Sequence, residues 1–246
     1  MSELYKKVAK LIKNSTKAVA FTGAGISVES GIPTFRGPEG LWSKYNPKIL
    51  DIDYFTLNPK ESWEKIKEIF YDYMQNIKPN KAHYFLAELE KNDLLKCVIT
   101  QNIDNLHQEA GSKNVIEFHG TAKKLLCMNC FKKYDKDEIN LNDLPPLCPK
   151  CWGLLKPDFV FFKEPIPKNA LEKSLEMAQN CDLMIVIGTT GEIQPASQIP
   201  ILAKQNGAKI IEINIEKSNY TDTITDIFLQ DKATIASEKI KIHLKG

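Results

Sequence analysis

The sequence predicts an α/β protein with a doubly wound, parallel, Rossmann-like sheet and a smaller zinc-binding domain formed by insertions. Three observations carry this. Short β-rich runs are separated by amphipathic stretches. Each run is apolar without strict alternation, the pattern of a strand covered by helices on both faces. Four of the six cysteines form two C-x2-C pairs inside a long insertion.

The strand-like runs are AVAFTG (18–23), CVITQ (97–101), VIEFHG (115–120), LMIVIG (183–188) and KIIEIN (209–214). Between them Leu4, Val8, Leu11 and Ile12 recur at helical spacing, as do Phe85, Leu86 and Leu89, and Leu171, Leu175 and Ala178. These are the expected packing helices. Residues 31–80, rich in Pro and aromatics, and residues 121–158, holding the paired cysteines, break the rhythm. The sheet domain is therefore expected to comprise residues 1–30, 81–120 and 159–246. Residues 31–80 and 121–158 would form a small second domain, leaving a cleft at the carboxyl ends of the strands, where open α/β folds bind ligands. The tail SEKIKIHLKG reads as part of a terminal helix or a frayed end.

Composition narrows the function. With 43% hydrophobic and 26% charged among 246 residues, the chain suits folded rather than disordered structure. Thirty-three Lys and Arg against 31 Asp and Glu leave a charge of +2, too balanced for phosphate-backbone binding as the main activity, so no direct nucleic-acid partner is expected. The longest clean apolar run, Leu183 to Ile187, falls far short of the roughly 18 residues of a membrane span. The N-terminal stretch MSELYKKVAKLIKNS lacks an apolar block followed by a cleavage site, so the protein reads as cytosolic. The composition leaves the oligomeric state open.

In a reducing compartment the cysteines need an explanation other than disulfides. Cys127, Cys130, Cys148 and Cys151 form C-x2-C-x17-C-x2-C, within the spacing of a zinc site. Four thiolates fill a tetrahedral ion and leave no open position, so one structural zinc is expected. A nucleic-acid-binding zinc ribbon competes, but FKKYDKDEINLNDLPPL between the pairs is as acidic as it is basic. Cys97 and Cys181 sit at the mouths of apolar runs and are read as ordinary buried thiols.

Gly23, Ala24 and Gly25 end the first run in a glycine-rich turn where backbone amides could approach a pyrophosphate. The turn is not a dehydrogenase fingerprint, because Val28 replaces the third glycine and no acid stands at position 43. Gln101, Asn102, Ile103 and Asp104 follow the second run. His119 ends the third, with Gly120 giving its ring room, and an imidazole suits a general base near neutral pH. A lone histidine is more often a core residue, but Gly188, Thr189 and Thr190 leave the fourth run and Asn214 ends the fifth. Five polar strand ends on one sheet edge describe a nucleotide site.

Taken together, GAGIS, SGIPTFRG, TQNID, FHG, the four cysteines, GTTGEIQPA and EINIE resemble the sirtuins, NAD-dependent protein deacylases, over nearly the whole chain and in the family's order. The resemblance implies cleavage of the nicotinamide–ribose bond of NAD and transfer of the acyl group from an acylated lysine to the ribose. The products would be free lysine, nicotinamide and O-acyl-ADP-ribose. It places Gly23, Ala24, Gly25, Phe35 and Arg36 along the cofactor loop, with Phe35 shielding the reacting ribose carbon. Gln101 and His119 would contact that ribose, and Asn102 would position it or an attacking water. Asp104 would recognise the nicotinamide amide, and Ile103 would wall its pocket. Gly188, Thr189, Thr190 and Asn214 would hold the adenosine half, with Ala233 near the adenine. As the only well-placed histidine, His119 would accept the proton of a ribose hydroxyl; His83 lies on a helix and His107 follows the loop.

The peptide would lie extended beside Val160, Phe161, Phe162 and the 191–194 stretch, although the two phenylalanines could equally serve interdomain packing. Three residues depart from the commoner pattern: Thr34 for Asp, Lys163 for the Gly of FGE, and Thr190 for Ser. Lys163 adds a side chain and a charge beside the peptide groove. Family members that remove acidic acyl groups carry a Tyr-x-x-Arg pair; here Tyr71 is followed by Met74, which implies neutral acyl chains, unless both merely belong to a packed helix face with Ile66 and Phe70. The main alternative activity is protein mono-ADP-ribosyl transfer from the same site. A non-enzymatic NAD sensor or zinc-ribbon module would be expected to have lost His119 or QNID, and both are intact.

Overall fold

The computed structural model describes residues 2–37, 40–74 and 76–245; Met1, Pro38, Glu39, Gln75 and Gly246, which the expected domain ranges also include, lie outside the described residues. In chain order the strands are β1 (Ala18–Thr22), β2 (Cys97–Thr100), β3 (Val115–Glu117), β4 (Gly120–Cys127), β5 (Lys133–Asp135), β6 (Leu155–Phe159), β7 (Leu183–Ile187), β8 (Lys209–Asn214) and β9 (Ile227–Gln230). Six of them form one parallel sheet in the order β3-β2-β1-β7-β8-β9. The chain winds outward from β1 to β3, returns to lay β7 against the other side of β1, and winds outward again. This reversal is the topological switch point at which such sheets open a crevice.

Side-chain alternation explains the unpatterned apolar runs. Ala18 and Ala20 face a core shared with the helices Ser2–Asn14, Lys81–Lys91 and Ala233–Lys245. Val19 and Phe21 face a second core with the helices Lys168–Asn180 and Gln198–Gln205. Both faces are covered, so both parities are apolar. Cys97 and Cys181 are buried in this second core, as ordinary thiols. In the first helix the buried stripe is Tyr5, Val8, Ala9 and Ile12, while Leu4 is exposed. The stripe is turned from the expected one because Tyr5 packs inward and its hydroxyl donates to Asp231 at 2.8 Å. The tail as far as Lys245 belongs to the last helix, which buries Ala236 and Ile240.

A third core gathers the helices Leu41–Lys44, Ile52–Leu57 and Pro59–Ile66 against an antiparallel sheet of order β5-β4-β6. Trp63 is its buried anchor, donating from Nε1 to Leu155 O at 2.8 Å. Phe159, Phe161 and Ile103 also belong to this core.

The two glycine loops at the switch point meet backbone to backbone. Gly23 N donates to Ile187 O at 3.0 Å and Gly25 N to Gly188 O at 2.8 Å. A Cβ on Gly25 would lie 2.6 Å from Gly188 Cα, and one on Gly188, at φ +64°, would lie 2.4 Å from Ile26 N. Replacing Gly188 with Ala should therefore lower stability by about 2–4 kcal/mol through overpacking and a left-handed backbone. Denaturant unfolding of Gly188→Ala checks this; an unchanged midpoint would refute the close-packed account.

Candidate active site

The carboxyl ends of β1, β2, β7 and β8 converge as their register requires. Gln101 Nε2 donates to Thr189 Oγ1 at 3.1 Å, and Asn214 Nδ2 donates to Thr189 O at 3.1 Å. Asn102 Nδ2 reaches Gly23 O at 3.2 Å and Ser27 Oγ at 3.1 Å. Thr190 is exposed, and its carbonyl accepts from Asn219 N at 3.0 Å. The glycine turn continues into the 3-10 helix Ala24–Ser30. Glu29 in this helix accepts from Thr234 N at 3.0 Å and Thr234 Oγ1 at 2.8 Å, bringing Ala233 beside the turn. Two of the expected cofactor-loop residues stand apart from this cluster. Phe35 packs on Trp42 at 5.5 Å and Phe70 at 6.4 Å, against the third core. Arg36 is exposed.

His119 departs from its expected place at a strand end. β3 stops at Glu117, and His119 lies in the turn between β3 and β4. Gly120 follows at φ +77°, where a Cβ would lie 2.3 Å from Asp158 O. That glycine serves the left-handed turn and the close approach of β6. The ring is held by its own backbone neighbourhood: Nδ1 donates to Gln101 O at 3.0 Å, leaving Nε2 as the unprotonated nitrogen. Burial holds the imidazole below its ordinary pKa, with the bond to Gln101 drawing it partly back, so it is neutral at pH 7.

Two further side chains join the site, although the sequence reading gave neither a role. Ser27 Oγ donates to Asp104 Oδ2 at 2.7 Å. His83 is fully buried in the first turn of the helix Lys81–Lys91, where Nδ1 accepts from Asn80 N at 3.2 Å. Its Nε2 faces Ser27 Oγ at 3.4 Å. Asn80 also donates to Ile26 O at 2.7 Å, clamping this helix to the glycine turn. The N-x-x-H pattern at a helix start was the available signal, and helical placement alone hid it. Desolvation lowers His83 to about 4, so it too is neutral. Asp104 is raised by burial, against the lowering effect of Leu106 N and Ser27. Ile103 is buried beside it.

Of the expected peptide-side residues, Val160 N donates to His119 O at 2.8 Å. Phe161 is 1% exposed and packs edge-on against Phe55 at 5.1 Å, so its ring belongs to the third core. Phe162 is 44% exposed and lies 6.2 Å from Trp42. A cavity of about 630 Å³ is lined by Phe70, Tyr71, Met74, Ile103 and Asp104 among others. The Tyr71 ring stacks on Trp63 at 6.1 Å, and its hydroxyl is buried without a partner among the described residues.

The four cysteines of the insertion also converge. Their Sγ atoms lie within 4.8 Å of one another, with Cys127–Cys151 at 3.5 Å and Cys130–Cys148 at 3.7 Å. A zinc tetrahedron with Zn–S bonds of about 2.3 Å has edges of about 3.8 Å. Asn129 N and Cys130 N each donate to Cys127 Sγ at 3.4 Å, and Tyr134 Oη lies 3.1 Å from Cys148 Sγ, contacts that favour thiolates. The donor set fits one structural zinc, with every position taken by protein.

The Sir2 family model matches residues 23–195. An NAD-dependent protein deacetylase of Caldivirga maquilingensis is 44% identical, over 98% of this chain and 94% of its own. The chain belongs to the Sir2 family. Within that family, an NAD-dependent protein deacylase of Pyrococcus furiosus is 47% identical over 92% of each chain. A solved Sir2 structure with p53 peptide and NAD+ superposes with a TM-score of 0.89 at 37% identity, covering 96% of this Sir2 chain and 97% of that one. Among the described residues no helix is long and apolar enough to cross a membrane.

The zinc account predicts one zinc per chain by elemental analysis. Cys130→Ala should lose the metal and cost at least about 2 kcal/mol in unfolding stability. A metal-free protein of unchanged stability would refute it.

Proposed function

We propose that this chain is an NAD-dependent protein-lysine deacylase acting on acetyl and longer neutral acyl groups. NAD supplies a ribose that, once nicotinamide has left, accepts the acyl group, so the products are nicotinamide, O-acyl-ADP-ribose and free lysine. The observation carrying this reading is the tautomer of His119: Nδ1 is committed to Gln101 O, and Nε2 is free to take a proton from a ribose hydroxyl.

The other residues divide the substrate among them. Gly23, Ala24 and Gly25 offer backbone to the pyrophosphate, Gly188, Thr189, Thr190 and Asn214 hold the adenosine half, and Ala233 lies toward the adenine. Gln101 contacts the ribose and Asn102 positions it or an attacking water, Asp104 recognises the nicotinamide amide with Ile103 walling its pocket, and Phe35 shields the reacting ribose carbon from the cofactor loop that Arg36 also lines. Keeping His83 and His119 neutral leaves developing positive charge on the ribose without a cationic neighbour from either ring. Acylated lysines on protein segments are the partner class, entering extended beside Val160 and Phe162. The division of the chain follows the ranges set out above, residues 31–80 and 121–158 forming the zinc-braced wall of the cleft. Residence in a reducing cytosol agrees with four cysteines reserved for a metal. The names of the relatives give no support to mono-ADP-ribosyl transfer as the main activity.

Incubation with NAD and an acetylated peptide, followed by mass spectrometry, should yield O-acetyl-ADP-ribose, with nicotinamide release dependent on the peptide. Transfer of labelled ADP-ribose to protein without peptide would refute the reading. His119→Ala should lower turnover about 10²–10⁴-fold while NAD still binds. Because burial lowers the His119 pKa, the base form persists into mild acid, and the acid limb of kcat/KM should fall with an apparent pKa below about 6.5. A limb at or above that value would contradict the assignment.

Acyl choice follows from Tyr71 and Met74. Neither offers a cation, so a succinyl carboxylate would lose about 1.5–3 kcal/mol of charge-assisted bonding, roughly ten- to a hundredfold in kcat/KM against acetyl. One peptide carrying acetyl, myristoyl or succinyl in turn measures this, and a preference for succinyl would overturn it.

A further inference from the structure

The segment that carries Val160 and Phe162 is fastened at its far end by a side chain that the catalytic site does not use. Lys163 has φ +74°, a left-handed backbone that suits glycine and is uncommon for a long side chain. Its ammonium lies 2.9 Å from Asp51 Oδ2 and 2.7 Å from Asp53 Oδ2. Both carboxylates raise its pKa, with the Asp53 contact the larger cause, and hold the charge on.

Asp51 is itself anchored, because its Oδ1 caps the helix Ile52–Leu57 by accepting from Asp53 N at 3.0 Å and Tyr54 N at 3.1 Å. Backbone pairing between the two segments is slight. Phe162 N donates to Leu50 O at 2.8 Å, Ile52 N donates to Phe162 O at 3.3 Å, and Asp51 and Phe162 form a single isolated bridge. On the other side of Phe162, Phe161 N donates to Glu164 Oε2 at 2.8 Å, and Glu164 also pairs with the buried Lys156 at 2.9 Å. Residues 160–164 are thus tied at Val160 by His119 O, in the middle by one bridge, and at the end by Lys163 together with Glu164, whose N also donates to Phe161 O at 3.0 Å.

We propose that Lys163 is a positioning residue for the protein substrate: its clasp to Asp51 and Asp53 holds residues 160–162 in place before an acyl-lysine peptide arrives. This rests on the deacylase reading for the identity of the peptide. The ordering itself does not depend on that reading. A strand edge already ordered spares the peptide the entropy of ordering it, so the benefit falls on peptide binding and leaves NAD and the chemical step alone. The clasp is solvent-facing, with side-chain exposures of 58% for Lys163 and 70% for Asp53, so its effect is modest and sensitive to salt.

The test uses the full chain, Lys163→Gln and Asp53→Asn singly and together, and Lys163→Gly, which keeps the left-handed backbone without the ammonium. In the ligand-free protein, amide exchange at residues 161–164 should quicken in Lys163→Gln and Lys163→Gly, with the rest of the sheet unchanged. With acetylated peptide and NAD, Lys163→Gln should raise the peptide KM about two- to fivefold, leave the NAD KM and kcat within about twofold, and flatten the rise of peptide KM with salt. The double variant should be no worse than Lys163→Gln alone, because both changes break one interaction. Unchanged exchange in both Lys163 variants overturns the clasp. Faster exchange with an unchanged peptide KM, or with peptide and NAD KM rising together, overturns its role in substrate positioning. If the wild-type chain turns over no acyl peptide, the deacylase reading fails, and the exchange result still decides the clasp.

Discussion

The site depends first on two loops that touch through their backbones. Gly25 and Gly188 approach so closely that neither has room for a methyl group, and the bonds from Gly23 N to Ile187 O and from Gly25 N to Gly188 O lock the loops in register. The parallel pairing of β1 with β7 brings the strand ends together; the missing side chains let them close. Thr189 can then reach Gln101, and Asn102 can reach Gly23 O. These glycines answer a packing constraint within the protein, while leaving a concave edge of polar backbone that a pyrophosphate could also use.

Above that contact the site is buried and polar, a combination tolerable only when the groups are paired. An unsatisfied buried donor or acceptor costs about 1–3 kcal/mol. Ser27 meets this by accepting from Asn102 while donating to Asp104, and Asp104 takes Leu106 N on its other oxygen. The same burial sets protonation. His83 and His119 are held neutral because desolvation penalises the imidazolium, and the backbone decides where each remaining proton sits: Asn80 N directs it to Nε2 of His83, and Gln101 O directs it to Nδ1 of His119. Of these two rings, His119 is thereby left with the unprotonated nitrogen that its backbone bond does not occupy.

Much of this was legible in the sequence because it rests on strand ends. A run such as LMIVIG announces a strand buried on both faces, and the residue after its last apolar position must emerge at the carboxyl edge, so Thr189, Gln101, Asn102 and Asn214 could be placed from periodicity alone. The four cysteines were legible for a different reason, since their spacing carries the coordination chemistry directly. Contacts between distant segments left no periodic trace. Ser27 stands in the glycine motif, yet its partner His83 comes from a helix 56 positions away, and helix placement reads as packing. Phe161 and Phe162 are adjacent and chemically identical, but only the fold separates a ring sealed in the third core from one facing the cleft. Lys163 was visible as an oddity; its meaning required Asp51 and Asp53, over a hundred residues earlier.

The position of His119 gives the two sheets a common purpose. Two residues before it, β3 ends at the edge of the parallel sheet, and one residue after it, β4 begins the antiparallel one. Its carbonyl accepts from Val160 N, where β6 returns from the zinc-braced wall, and its ring is fixed by Gln101 on the large-sheet side. His119 therefore sits at the crossing of the two walls. The zinc contributes from a distance, by keeping β4, β5 and β6 together so that the chain leaving His119 meets a wall already formed.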